Sequence, residues 1–176
     1  REAAEAFAGE LREGEKVYIL GSVGPAGNAS DGPEEIEAAY GSQVRSLVEE
    51  GVDALLFETF DSLPELEGLI RFAKSLPGAP PIIAHMALGR NPADGTWSTD
   101  PVGFADAAAA AGASVVGVNC CPPWEAEAFI RTARSAECVK RGAVLLSAMP
   151  NAGGFERIRR VVTPSARRDS SDRSGR

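Results

Sequence analysis

Short apolar runs alternate along the chain with longer stretches of helical period. Val17-Tyr18-Ile19-Leu20, Ala54-Leu55-Leu56-Phe57, Ile82-Ile83-Ala84, Val115-Val116-Gly117-Val118 and Val144-Leu145-Leu146 are continuous rather than alternating. That is the pattern of strands buried on both faces. They predict strands over 17–23, 53–58, 82–87, 114–119 and 143–148. The segments between them predict helices over 33–50, 64–76, 101–111 and 124–136. Pro33 opens the first of these, with Glu34 and Glu35 in its first turn, where carboxylates suit the helix dipole, and Gly51 ends it. Pro64 opens the second, and the Ala-rich third ends at Gly112. Residues 1–13 predict a further helix, with Ala3, Ala4, Phe7, Ala8 and Leu11 on one face. Residues 24–32 and 88–100 read as loops.

The strand–helix order implies an α/β fold with a parallel sheet and right-handed crossovers. Each of four strands runs into a polar motif: Gly21-Ser22-Val23-Gly24-Pro25, Glu58-Thr59-Phe60, Asn119-Cys120 and Pro150-Asn151-Ala152-Gly153. All four fall at carboxyl ends, the edge where β/α proteins bind substrates. Five βα units are too few to close an eight-stranded barrel. They make either an open doubly wound sheet or part of a barrel. A dinucleotide fold needs Gly-x-Gly-x-x-Gly running straight into a helix. Here the glycine spacing is wrong and several residues precede Pro33. Chemistry spread over four strand ends favours a partial (β/α)8 TIM barrel.

At 176 residues and 44% hydrophobic, the chain has the size and apolar content of one domain. It has no apolar run long enough to span a membrane. Its acidic N-terminus is neither a signal nor a transit peptide, and without a start Met the chain is expected to begin inside a longer protein. The net charge of −7 argues against nucleic acid as the main partner. From Phe155 onward, however, seven arginines face only Glu156, Asp169 and Asp172. That divides the chain into a folded unit over 1–154 and an Arg/Ser-rich tail over 155–176, expected to be disordered from Arg157. Three cysteines, two of them adjacent, suit a reducing cytoplasm better than a disulfide framework.

Cys120 at its strand end reads either as a small buried hydrophobe or as a thiolate metal ligand. Side chains at 120 and 121 tend to point apart, so both binding one metal is disfavoured. Cys138, before Lys140-Arg141, reads as structural. Glu58 follows three apolar residues, where a carboxylate is costly to bury alone. It either forms a salt bridge at the sheet edge or holds a cationic ligand group such as an ammonium. His85 is the single histidine, which excludes a multi-His metal site, and is expected to be a satisfied, core- or barrel-facing residue. No Gly-x-Ser-x-Gly elbow supports a serine triad. Asp94-Gly95 reads as a turn and Trp97 as a cover for the barrel mouth.

In order along the chain, these motifs resemble the homocysteine S-methyltransferase family. The matching pieces are Gly21-Ser22-Val23-Gly24-Pro25, Tyr40 and Gln43, Gly51-Val52-Asp53, Leu55-Leu56-Phe57-Glu58-Thr59-Phe60, Gly117-Val118-Asn119-Cys120 and Pro150-Asn151-Ala152-Gly153. The resemblance covers roughly residues 1–154. It implies a (β/α)8 barrel, with homocysteine and a methyl donor as partners. The donor would be of folate, cobalamin, betaine or S-methylmethionine type. It implies methyl transfer to homocysteine thiolate, giving methionine, with zinc as cofactor. The family holds zinc with three cysteines, of which Cys120 matches one, and the homocysteine sulfur takes the fourth position. Zinc lowers the thiol pKa so that a thiolate exists at neutral pH. By the same resemblance Glu58 grips the amino group of homocysteine, and Thr59 and Asn119 are expected beside it in the substrate site.

The chain departs from the family pattern. Two strands are expected upstream of Arg1. The Gly-Gly-Cys-Cys-Gly motif that supplies the other two zinc cysteines is absent, and Cys121 lies on the wrong strand to replace it. After Gly154 the family pattern gives way to Arg- and Ser-rich sequence, as a frameshift or an incomplete gene would produce. The expectation is an incomplete copy of a homocysteine S-methyltransferase. The alternatives are a non-catalytic barrel fragment and an unrelated β/α binding domain.

Overall fold

Every strand in the described part of this protein pairs with its neighbour in sequence. The computed structural model describes residues 2, 6, 11–12, 15–27, 32–91 and 93–152. Within them β1 (Leu20–Val23), β2 (Ala54–Phe60), β3 (Ile82–Met86), β4 (Val115–Asn119) and β5 (Leu145–Met149) form one sheet in the order β1-β2-β3-β4-β5, parallel throughout. A doubly wound sheet reverses its strand order partway. This one does not, and its sequential βα units form part of a TIM-barrel-like repeat.

The helices are α1 (Pro33–Glu49), α2 (Leu63–Ser75), α3 (Pro101–Ala111), α4 (Pro123–Ala133) and the short α5 (Glu137–Lys140). The helix expected over 124–136 ends at Ala133, and α5 follows as a separate short helix beyond that range. In the first turn of α5 the Cys138 N–H, which has no carbonyl within its own helix to reach, donates to Asp106 on α3 at 2.9 Å. Prolines stand in the first turns of α1 to α4, where a missing N–H costs nothing. Ser62 and Asp100 cap α2 and α3 by accepting from Glu65 N at 3.4 Å and Gly103 N at 2.8 Å, contacts each worth about 1 kcal/mol. Gly112 ends α3 at φ 116°, a left-handed value that a side chain would resist. The expected helix over 1–13 falls largely, and the expected tail over 155–176 wholly, outside the described residues.

The core lies between sheet and helices. Leu55, Phe57, Ile82, Ala84, Met86, Val116 and Val118 point into it from the strands. Ile36, Val44, Leu66, Leu69, Ile70, Phe104 and Phe129 meet them from the helices. This explains the continuous apolar runs: one set of alternate residues faces the helices, and the other faces the inner side of the sheet. The inner face changes character along each strand. On β2, Leu56 is followed by Glu58, and on β4, Val115 by Gly117 and Asn119.

β2 carries an irregularity at the position where its motif begins. Phe57 pairs with Ala84 and Phe60 with Met86, so three residues of β2 advance against two of β3. The extra residue makes a bulge, and Thr59 within it takes φ 69°. Bulges re-aim side chains at sheet ends, and this one turns Glu58 and Thr59 toward β4.

Candidate functional site

At the carboxyl ends of β1, β2 and β4 the polar motifs converge, as their positions in the sequence imply. Glu58 lies half-buried at the centre. Ser22 Oγ donates to its Oε1 at 2.5 Å from β1, and Asn119 Nδ2 approaches its Oε2 at 3.4 Å from β4. Glu58 has no lysine or arginine in ion-pair contact among the described residues. The salt-bridge reading of this carboxylate is therefore not what the fold shows. Two neutral donors hold it, and its charge is not cancelled by a cation of the described chain.

Asn119 is 3% exposed, and both ends of its carboxamide are engaged. Oδ1 accepts from the Thr59 N–H at 3.0 Å, and Nδ2 donates to Thr59 Oγ1 at 2.8 Å. Cys120 is exposed, and its Sγ lies 3.6 Å from both Thr59 Oγ1 and Asn119 Nδ2. Like Thr59, Cys120 has a left-handed backbone, with φ 53°. Two non-glycine residues in this region, one in the β2 bulge and one just past β4, and in contact, mark local strain held in place by surrounding bonds. Ser22, Glu58, Thr59, Asn119 and Cys120 thus form one continuous polar network across three strand ends.

The cysteines separate as expected. Cys121 turns into the core and is 4% exposed, with burial pushing its thiol pKa up. Its carbonyl accepts from Asn151 N at 2.9 Å, tying the Pro150-Asn151-Ala152 motif to the β4 end. Cys138 is buried in α5, and burial followed by its bond to Asp106 pushes its thiol to about 11. Among the described residues no group of three His, Cys, Asp or Glu side chains is arranged to hold a metal ion. A protein zinc site takes three or four ligands. Cys120 alone does not provide them, so the described residues do not fit a resident zinc.

Other motif residues brace rather than line the site. Tyr40 on α1 is fully buried. Its hydroxyl donates to the buried Glu65 carboxylate on α2 and accepts the Ala26 N–H at 2.7 Å, fastening the loop after β1. Burial and then the Glu65 contact raise the Tyr40 pKa to about 12. Gln43 reaches the Ser22 carbonyl at 3.4 Å. Asp53 accepts the Ile19 N–H at 2.8 Å, at the opposite end of the sheet from the site. Asp94 is confirmed in a turn, accepting from Thr96 N at 2.9 Å and Thr96 Oγ1 at 2.7 Å. Trp97 packs partly buried against the core, with Arg90 over its ring at 5.1 Å.

His85 departs from expectation. It is fully buried, as expected of a core histidine, but it is not satisfied: neither ring nitrogen has a hydrogen-bond partner among the described residues. Burial lowers its pKa, and the nearby Glu58 charge opposes that shift. Nothing local in the sequence marked it, because a partner's absence is a property of the surrounding fold.

Comparison with known proteins agrees with this architecture. A family model for homocysteine S-methyltransferase matches residues 1–172. The chain is similar to the apo form of the homocysteine methyltransferase MmuM from Escherichia coli, at 25% identity and a TM-score of 0.69. That match covers 87% of this chain and 56% of the other, so the chain spans little more than half the length of that relative. The metallated form of MmuM matches with the same TM-score of 0.69 at 22% identity, over 87% of this chain and 55% of that one. Comparison with curated protein sequences gives no match. Among the described residues no helix is long and apolar enough to cross a membrane.

Proposed function

The chain belongs to the homocysteine S-methyltransferase family, and from that membership we propose that its strand-end network binds homocysteine for methyl transfer to sulfur. The observation that carries this reading is the Glu58 carboxylate. It is half-buried, oriented by Ser22 and Asn119, and not ion-paired within the described chain. An anion held by neutral donors is suited to an incoming ammonium. Glu58 takes the amino group of homocysteine. Thr59 and Asn119 fix the distance from that point to Cys120, beside which the substrate sulfur lies.

In the reaction, the donor–methyl bond breaks as the S–CH3 bond of methionine forms, and the substrate thiol gives up its proton. Donors of folate, cobalamin, betaine or S-methylmethionine type all satisfy this balance. Zinc is the cofactor the family reading calls for, and it would make the thiolate available at neutral pH. The described residues contribute one donor to it, Cys120. That shortage favours a second reading, in which the chain binds homocysteine without transferring a methyl group. We assign the binding unit to residues 1–154, with 155–176 outside it. Three cysteines without a disulfide support a reducing compartment such as the cytoplasm as its location.

Calorimetric titration of the 176-residue chain with homocysteine tests the proposal. Binding that weakens at least about tenfold in Glu58→Gln supports it, on the scale of a lost charge-assisted contact. No binding to the wild-type chain overturns it.

A further inference from the structure

His85 is the one histidine of the chain, and its surroundings are unusual for a buried imidazole. It lies on β3 in register with Gly117 of β4, on the inner face of the sheet. A Cβ at Gly117 would stand 2.8 Å from His85 Nε2 and 2.2 Å from the Ser147 carbonyl oxygen. The ring therefore occupies space that only a glycine leaves open. Asn119, two residues beyond Gly117 on the same face, belongs to the network around Glu58. His85 thus lies directly beneath the site, on the strand adjacent to the Glu58 bulge.

A buried polar group without a partner is costly, by about 1–3 kcal/mol, and such groups call for an explanation. The flanking strands supply none in the form of a hydrogen bond. β4 presents Gly117 on one side, with the Ser147 carbonyl of β5 beyond it, and β2 on the other side carries Leu56 and Glu58 on the same face. Of the titratable groups at these strand ends, Glu58 on β2 and the Cys120 thiol past β4, it is Glu58 whose charge acts on the ring. A protonated His85 would be a resident cation for Glu58. A neutral one leaves that carboxylate uncompensated.

We propose that His85 is a positioning residue for the Glu58 subsite: a buried, neutral imidazole that withholds an internal cation, so that Glu58 is paired only when a ligand ammonium arrives. His85 and the ligand then compete for the same negative charge. This rests on the reading of Glu58 as the amine-binding group. It makes the subsite selective for cations, and it makes that selectivity fade as His85 gains a proton.

A single imidazole lets nuclear magnetic resonance follow His85 without ambiguity. Its pKa is measured by titration in the wild-type chain, in Glu58→Gln, and in wild type saturated with homocysteine. Removing the carboxylate charge is expected to lower the imidazole pKa by about half a pH unit or more. Saturating homocysteine is expected to lower it similarly. By linkage, homocysteine then binds about threefold or more weakly once His85 is protonated. An imidazole pKa unchanged in Glu58→Gln overturns the proposal while leaving the homocysteine reading intact. A pKa that responds to Glu58→Gln but not to homocysteine overturns the amine reading of Glu58, and the proposal with it.

Discussion

The Asn119 carboxamide clasps Thr59 from both sides, its Oδ1 taking the Thr59 N–H at 3.0 Å and its Nδ2 giving to Thr59 Oγ1 at 2.8 Å. One side chain on β4 thereby holds a left-handed residue in the bulge of β2, a conformation that costs on the order of 1–3 kcal/mol. Asn119 is fully committed to the protein, so its influence on a ligand passes through the positions of Thr59, Glu58 and Cys120.

Replacing it tests that dependence. Asn119→Ala is expected to destabilise the fold by about 1–3 kcal/mol, through the orphaned Thr59 N–H and the relaxed bulge. Asn119→Asp keeps an acceptor for Thr59 N but sets a second carboxylate beside Glu58. It is expected to bind homocysteine more weakly than wild type even where urea denaturation shows a fold that survives. Wild-type stability in Asn119→Ala would remove the clasp from the account.

The Tyr40–Glu65 pair predicts an alkaline weakness. The Tyr40 pKa rises from 10.0 to about 12 in the folded protein, because burial and then the Glu65 carboxylate oppose the phenolate. Below pH 10 the phenol is neutral in both folded and unfolded chains, and its contribution is complete. Between pH 10 and 12 the unfolded chain sheds this proton first, so stability falls, by roughly 3 kcal/mol at most. Denaturant unfolding followed across this range should show a steeper loss in wild type than in Tyr40→Phe. The buried thiols of Cys121 and Cys138 also titrate with raised pKa values and are common to both proteins. Tyr40→Phe should itself be destabilised at neutral pH, since it leaves the buried Glu65 carboxylate without its donor.

Thiol reactivity separates the three cysteines. Cys120 is exposed, while Cys121 and Cys138 are buried with raised thiol pKa values. Iodoacetamide on the native chain is expected to label Cys120 first and the other two only on unfolding. Peptide mass spectrometry gives the order. Prompt labelling of Cys121 would mean that the β4 end opens in solution.

The metal prediction follows from the donor set. With Cys120 as the thiol at the sheet edge and no group of three donors among the described residues, the purified chain is expected to carry well under one tightly bound zinc. Elemental analysis of wild type and Cys120→Ser should then agree. One zinc per chain, lost in Cys120→Ser, would mean that groups beyond the described residues, or a second copy, complete the site.

The strands were legible because continuous apolar runs such as Leu55-Leu56-Phe57 admit few readings between glycines and prolines. The site was legible in its parts, since Glu58 and Asn119-Cys120 are polar residues where a buried strand should have ended. Their linkage was not. The bulge at Thr59 depends on how β2 registers against β3, which no local window contains. The Tyr40–Glu65 brace joins residues 25 positions apart across two helices. His85 resembles any strand histidine until the strands on either side are known to leave it without a partner. The end of α4 at Ala133 was also hidden, because the helical period runs on through Ala136, and so was α5, whose first turn is held by Asp106 of α3.

Sequential strand order has a consequence for how such a sheet folds and tolerates damage. Because each described strand pairs only with its predecessor and successor, the chain is close to a one-dimensional array, in which order can spread outward from any well-packed unit. A lesion in the β5 unit would be felt first by its β4 neighbour and only weakly at β1. The fastening of Ser22 to Glu58 should therefore persist through injuries that unpick the far side of the sheet. In such an array, losing function and losing the fold are separable events.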